Sequence, residues 1–305
     1  MNGEVLVVGS VAIDSVETPF GRDDAALGGS ALHFTSAASL FARVRLVAVV
    51  GEDFPRESLG FLEEREVDLS ALFTVPGRTF RWKGRYGFDL NEAQSLETHL
   101  NVFEGFDPVL PEAHRRAPFV FLANIDPDLQ TRVLDQVTQP DYVALDTMNF
   151  WIEGKRRSLL RALGRVDLLL LNEAEARMLA DEPNLVRAAQ KIRSWGPKGV
   201  VVKRGEYGAL YFCDGHVFAA PAYPLEAVYD PTGAGDSFAG GLLGYLASTG
   251  NTEPENVRRA VVFGSALASF NVEDFSFRRL ERLTYPEVAA RFREFKGLTH
   301  FESEV

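Results

Sequence analysis

Between residues 230 and 241 the chain reads Asp-Pro-Thr-Gly-Ala-Gly-Asp-Ser-Phe-Ala-Gly-Gly. Gly233, Ala234 and Gly235 are small, an acid follows at Asp236, and a helix-compatible run begins at Ser237. A glycine turn that opens a helix leaves several backbone N–H groups unpaired and aimed at one point, and the helix dipole adds partial positive charge there. Such a turn binds an anion. Asp236 stands at the same place, where a carboxylate can take a proton from an alcohol. An anion cradle beside a base is what phosphoryl transfer to a hydroxyl requires. An Asp in a first helical turn also serves as a plain cap. A cap needs no glycines, however, whereas close approach of a phosphate does.

The elements that must hold this turn follow from apolar periodicity. Short Val- and Leu-rich runs at Val5–Val8, Leu46–Val50, Phe119–Ala123, Tyr142–Leu145, Leu168–Leu171 and Val200–Val202 predict strands. Near-continuous apolar runs suit parallel strands covered on both faces. Amphipathic stretches predict helices at Ala31–Arg43, Ser58–Glu66, Leu129–Val137, Arg157–Leu163, Glu173–Ala180, Leu185–Trp195, Ser237–Ala247, Pro254–Phe270 and Tyr285–Phe295. This alternation predicts an open, mostly parallel sheet with helices on both sides and ligand sites beyond the carboxyl ends of the strands.

Two segments break the alternation, Val16–Leu27 and Ala71–Phe103. In the second, Phe80, Trp82, Tyr86 and Phe88 share one parity, and Arg81, Lys83 and Arg85 share the other. Period-two alternation predicts a half-buried antiparallel strand with one aromatic and one basic face. The aromatic face suits either a nucleobase or sugar face, or a small core or subunit interface. The basic face is either solvated or a contact for an acidic acceptor.

Asp-x-Thr-Gly-Ala-Gly-Asp resembles the C-terminal signature of the ribokinase, or PfkB, carbohydrate kinases. Gly28-Gly29-Ser30-Ala31 is similar to that family's Gly-Gly pair, and Val50-Gly51-Glu52-Asp53 to its Val-Gly-acid-acid run. The resemblance runs from about residue 4 to about residue 275. It implies one ribokinase-like domain over residues 1–305: a three-layer α/β/α sandwich with a mostly parallel central sheet and a small β-sheet lid at about 16–27 and 71–103. It also implies ATP and Mg2+, with a primary hydroxyl of a sugar or sugar-like alcohol as acceptor. A nucleoside kinase of the same fold is the nearest alternative. A catalytically silent binder of nucleotide or sugar is an alternative from another class, against which the intact Asp236 speaks.

Carried over residue by residue, the resemblance makes Asp236 the base and Gly233, Ala234 and Gly235 the anion hole. Asp14 would hydrogen-bond two acceptor hydroxyls, since a carboxylate offers two oxygens to a vicinal diol. Gly28, Gly29 and Ser30 would let backbone approach the acceptor, and His33 either touches it or sits in the core. Asn172 and Glu175 would organise Mg2+, largely through water, although Asn-Glu-x-Glu is also a good helix start. Lys203, Gly205 and Gly208 would form a nucleotide-side turn with Thr232, Gly233 and Gly235, and Asn271 would close the adenine side. Asp230 would stand by a monovalent cation, K+ being the candidate, or cap its own turn. Ribokinase itself has Asn where this chain has Ala12, and Lys-Gly-Ala-Asn where it has Ser30-Ala31-Leu32-His33. D-ribose is therefore not the expected acceptor.

Composition sets the outer limits. A net charge of −11 argues against a nucleic-acid partner. No apolar run is long enough for a membrane span, and the N-terminus has no secretory pattern. Cys213, the single cysteine, excludes an intrachain disulfide and suits a reducing, cytoplasmic setting. The five histidines are scattered without metal-ligand spacing. Gly9-Ser10-Val11-Ala12-Ile13-Asp14 lacks the glycine pattern of a dinucleotide-binding turn. A homodimer through the lid is expected, because an aromatic strand face seldom stays wet. The polar segment Thr299–Val305 is expected to fray.

Overall fold

The computed structural model describes residues 3–300, so most of the expected C-terminal fraying lies outside the described residues. Its strands are β1 (Glu4–Val8), β2 (Ala12–Thr18), β3 (Gly21–Gly28), β4 (Arg43–Gly51), β5 (Asp68–Val75), β6 (Phe80–Tyr86), β7 (Ala93–His99), β8 (Phe119–Leu122), β9 (Tyr142–Asp146), β10 (Leu168–Asn172), β11 (Gly199–Lys203), β12 (Ala209–Cys213) and β13 (His216–Ala220). Nine of them form the main sheet in the order β13-β12-β11-β10-β9-β8-β1-β4-β5. From β11 to β5 every pairing is parallel, while β12 and β13 turn back antiparallel. Neighbours β8 and β1 leave in opposite directions along the sheet, so the switch point of the strand order lies between them, where α/β sheets bind ligands.

The helices are α1 (Ser30–Ala38), α2 (Gly60–Glu64), α3 (Pro127–Gln136), α4 (Asn149–Gly154), α5 (Arg156–Leu163), α6 (Glu173–Ala180), α7 (Leu185–Arg193), α8 (Ala234–Thr249), α9 (Pro254–Asn271), α10 (Arg278–Glu281) and α11 (Tyr285–Thr299). Strand alternation sorts the core into two layers. Val5 and Val7 pack with Phe34 of α1, Leu242 of α8 and Val261 of α9. Leu6 and Val8 pack on the other side with Leu134 of α3, Leu163 of α5 and Ile192 of α7. Both faces of β1 are fully buried, which explains its unbroken apolar run.

The smaller sheet has the order β3-β2-β6-β7, with β2 and β6 parallel and the outer pairs antiparallel. Its extent corrects the expected lid boundaries. Ala71–Val75 belongs to β5 and pairs with β4 in the main sheet. The lid begins earlier, at Ala12, because the chain leaves the main sheet after Val8 and re-enters as β2. Asp14 is therefore a residue of the lid strand β2.

Candidate active site

Three adjacent parallel strands each end in a polar side chain: β9 in Asp146, β10 in Asn172 and β11 in Lys203. Lys203 Nζ donates to Asp146 Oδ2 at 2.7 Å, with both side chains largely withdrawn from solvent. Glu175 and Asp236 face the same ammonium group. Burial pulls the Lys203 pKa down, but the three carboxylates more than reverse it and hold the lysine charged. Burial, then the charge of Asp146, pushes the Asp236 carboxyl up to about 8 against the pull of Lys203. Burial and Asp146 likewise raise Glu175 to about 7. Three acids sharing one lysine leave the cluster short of positive charge.

Asn172 takes the helix-start role. Its Oδ1 accepts from the Glu175 N–H at 2.8 Å, and Glu175 Oε2 accepts from the Asn172 N–H at 2.7 Å. This reciprocal capping box starts α6 and leaves the Asn172 oxygen one further lone pair for water. Glu175 keeps one oxygen free for the cluster.

The glycine turn sits at the start of α8. Gly233 is left-handed, with φ 73°, and caps the helix. A Cβ there would fall inside the His33 ring, so the loop lies directly on the imidazole. Ala234 donates its N–H to Pro231 O at 3.2 Å, and Ser237 donates to Gly233 O at 2.8 Å. Among the described residues the N–H groups of Gly233 and Gly235 have no backbone acceptor, while the Asp236 N–H donates to its own carboxylate. Ala234 thus shapes the turn, and its neighbours supply the open donors.

Beneath the turn, Asn271 Oδ1 accepts from Ser237 Oγ at 2.9 Å and from His33 Nδ1 at 3.1 Å, while Asn271 Nδ2 donates to Thr232 O at 2.8 Å. Asn271 is fully buried, so it fastens the turn from below and does not close an adenine pocket. His33 is also buried under the turn, away from an acceptor. Burial lowers its pKa to about 4, so the ring is neutral. Asp230 is fully buried too; its oxygens accept from the N–H groups of Thr232 and Ser276, each at 2.9 Å. Among the described residues no lysine or arginine pairs with it.

On the acceptor side, Asp14 is buried against the Gly28-Gly29 turn. A Cβ on Gly28 would strike Asp14 Oδ2, so that glycine makes room for the carboxylate. Burial, then the charge of Asp230, raises Asp14 to about 7, against a hydrogen bond from Gly29. Ser30 corrects another expectation: its N–H and hydroxyl both engage Ser10 Oγ, at 3.0 and 3.1 Å, so its side chain ties α1 to the end of β1. Thr232 directs its hydroxyl to Tyr86 of the lid at 3.3 Å. Burial and the surrounding carboxylates raise the Tyr86 pKa.

The basic lid face is already neutralised. Arg81 pairs with Asp53 at 2.8 Å, Lys83 with Glu97 at 2.8 Å and Arg85 with Glu17 at 3.1 Å.

A cavity of about 510 Å³ opens beside the cluster, large enough for a small ligand. Lys203, Gly205, Gly208 and Gly235 line it. Leu225, Val228, Ala268 and Val272 add apolar wall, with Tyr223 beside them. Asn91, from the lid hairpin between β6 and β7, also lines it, close over Gly205.

Residues 122–280 match the family described as pfkB family carbohydrate kinase. A cytidine kinase of Thermococcus kodakarensis is 36% identical over 262 residues, which cover 84% of this chain and 92% of that protein. The chain belongs to the PfkB family of carbohydrate kinases. A Burkholderia thailandensis nucleoside kinase solved with inosine has a TM-score of 0.77 at 20% identity, covering 96% of this chain and 98% of its own. A ribokinase II of Escherichia coli, solved with ATP and Mg2+, reaches 0.75 at 18% identity over 96% and 99% of the two chains. The ribokinase fold is thereby established, and with it a kinase of the sugar and nucleoside class. Kinases of this family use ATP with Mg2+. Among the described residues no helix is long and apolar enough to cross a membrane.

Within this PfkB kinase, Asp146 is the cluster residue that sequence reasoning passed over. A signal existed: Tyr142–Leu145 is a continuous apolar strand, and Asp146 is the first polar residue at its carboxyl end. The residues present also fit Mg2+. No group of three acids, histidines or cysteines among the described residues is arranged to hold a metal alone, but Asp146 and the free oxygen of Glu175 are neighbours short of positive charge, and Mg2+ needs few protein carboxylates beside water and phosphate.

Proposed function

We propose that this PfkB kinase transfers the γ-phosphate of ATP to the 5′-hydroxyl of a ribonucleoside. Two features support a neutral, diol-bearing acceptor. Asp14 offers a buried carboxylate suited to two adjacent hydroxyls. The basic lid residues that could have met an acidic acceptor are each paired with an acid. Identity to the cytidine kinase over most of both chains carries the step from neutral sugar to nucleoside.

In this reading Asp236 accepts the hydroxyl proton as the acceptor oxygen bonds to the γ-phosphorus. The bond to the bridging oxygen breaks, and ADP leaves with that electron pair. The open N–H groups of Gly233 and Gly235 meet the equatorial phosphoryl oxygens. Lys203 reaches from its pair with Asp146 toward the same oxygens, since its ammonium lies 3.0 Å from where a Gly235 side chain would begin. Mg2+, when bound near Asp146 and Glu175, supplies charge neutralisation on the donor phosphates. A monovalent cation beside Asp230 would answer that residue's lack of a cationic partner. The exposed edge of β7 is the lid surface through which a homodimer would form, and the enzyme would work in the cytoplasm.

The test is coupled ADP release from ATP and Mg2+ over a panel of nucleosides, neutral sugars and sugar acids, with Asp236→Asn beside the wild type. Turnover on a nucleoside that collapses in the variant supports the reading. Preference for a sugar acid would overturn it.

A further inference from the structure

The aromatic lid face contains a feature that packing of the lid does not require. Trp82 on β6 stands directly beside Asp14 on β2, because the two strands run parallel with Asp14 paired to Trp82. Adjacent strands lie about 4.8 Å apart, and paired residues share a face. That face looks into the cleft, since Tyr86, four residues on, reaches Thr232 in the turn that leads into α8. Position 84, between them on the same face, is glycine. A Cβ at Gly84 would overlap the far edge of the Trp82 indole, so the ring lies flat along the strand in the space that Gly84 leaves open. Ser95, paired with Gly84 across β7, accepts the indole N–H at 3.0 Å and fixes the ring in that pose.

The indole therefore has one face on backbone and the other turned to the cleft. Trp82 is half-buried, and among the described residues no aromatic ring packs on it. Phe80, the next aromatic residue on this face, stacks instead with Phe103 at 5.5 Å as part of the lid's own packing. The two rings thus have different tasks: one closes the lid, and the other is held open.

We propose that Trp82, laid on Gly84 and tied by Ser95, is the stacking platform for the aromatic base of a ribonucleoside acceptor. The inference rests on the nucleoside reading above and specifies how that reading is achieved. A ribose held at Asp14 through its 2′- and 3′-hydroxyls carries its base on the adjacent carbon, one strand spacing away. Stacking on a flat indole is strong and tolerant of base identity, because every base has a π-face. The platform therefore admits purine and pyrimidine nucleosides and gives nothing to a free pentose.

The test compares wild type, Trp82→Ala and Trp82→Phe on cytidine, uridine, inosine, adenosine and D-ribose. Nucleoside binding is followed in parallel by quenching of intrinsic fluorescence, which needs no turnover. Trp82→Ala is expected to lower kcat/KM for nucleosides about 10- to 100-fold, mainly through KM. Turnover of D-ribose, whatever its level, should stay within about threefold of wild type. Trp82→Phe should restore most nucleoside activity while abolishing the quench. Nucleoside turnover unaffected by Trp82→Ala would overturn the platform and leave the nucleoside reading standing. Equal loss on nucleosides and ribose would overturn it as well, showing only a damaged lid. A wild type that neither binds nor phosphorylates any nucleoside would overturn the nucleoside reading itself.

Discussion

The floor of the cleft and its lid are built on opposite plans. On the floor most polar groups are buried or half-buried, and the central ones have several partners: Asn271 alone joins His33, Ser237 and Thr232, and Lys203 stands among three carboxylates. On the lid, β7 is exposed along its whole length, and the charged residues of β6 meet theirs in half-exposed pairs. Buried networks fix geometry and tolerate little change, whereas exposed pairs contribute about 0–1 kcal/mol each. On the function proposed above, the floor is preorganised for phosphate and the lid is a thin surface on which two or three side chains would choose the acceptor.

The sharpest way to break this contrast is at Asp236. Replacement by Asn keeps size and polarity but removes the proton acceptor. The expected loss in kcat is roughly 10²- to 10⁴-fold with nucleotide binding retained, measured by coupled turnover and by calorimetric titration with ATP. A variant that loses ATP binding in the same proportion would show that Asp236 holds the floor together rather than acting on the acceptor.

Gly233→Ala comes next. The new methyl would enter the His33 ring, at a φ that only glycine takes without strain. The open N–H groups of Gly233 and Gly235 must then be displaced, for an expected loss of about 10²- to 10³-fold in kcat. Stability should fall by about 1–3 kcal/mol in urea unfolding. Loss of stability with full kcat would mean that the open N–H groups do not touch the transferred phosphoryl group.

The same contrast explains what the sequence could and could not disclose. Parallel strands buried on both faces leave continuous apolar runs, so most of the main sheet was legible. The glycine turn that opens α8 was legible because a left-handed cap followed by a helix start needs those residue types in consecutive order. Asp146 and Lys203 were harder, because they meet only when β9 and β11 flank β10, a distance of 57 residues along the chain. Asn271 misled, and His33 stayed open between acceptor and core, for the related reason that a polar residue beneath a turn looks like one facing a ligand. Only the packed fold shows that their hydrogen bonds are spent internally. β5 was drawn into the lid because its sequence continues toward β6 without a helical interruption, and register alone assigns it to β4.

Asp14 joins the two regions and carries a pH signature. Its carboxyl rises from 3.8 to about 7 on folding, so the folded protein binds this proton more tightly than the unfolded chain does. Stability from this group is therefore complete at low pH and falls as pH rises from about 4 to about 7. Asp14→Asn removes the charged form. It should stabilise the ligand-free protein by ~1–3 kcal/mol at pH 8 and much less at pH 4, read from urea unfolding at both values. Acceptor KM should rise about tenfold or more, since one strong acceptor is lost. In wild type, the ionisation of Asp14 near pH 7 should add to the rise in kcat/KM that deprotonation of Asp236 imposes near pH 8, so the limb should become shallower in the variant and move to lower pH as Asp236 loses a neighbouring charge. A variant with no gain in stability at pH 8 would place Asp14 in a more solvated setting than its burial indicates.

The smallest effect is expected where the lid is most charged. Arg81→Ala breaks the pair with Asp53, but Asp53 still accepts from the Thr79 N–H and hydroxyl, each at 2.7 Å. Little is left uncompensated, and the pair is about one-third exposed. Stability should change by no more than about 1 kcal/mol, and kcat/KM for a neutral acceptor by less than about threefold. Rates on sugar acids should stay at the wild-type level, because Arg81 already has its counter-charge and does not need one from a substrate. A tenfold fall confined to sugar acids would show that the arginine leaves Asp53 to meet an anionic acceptor. The basic face of β6 would then belong to the acceptor site, and the division between a committed floor and a choosing aromatic face would have to be redrawn.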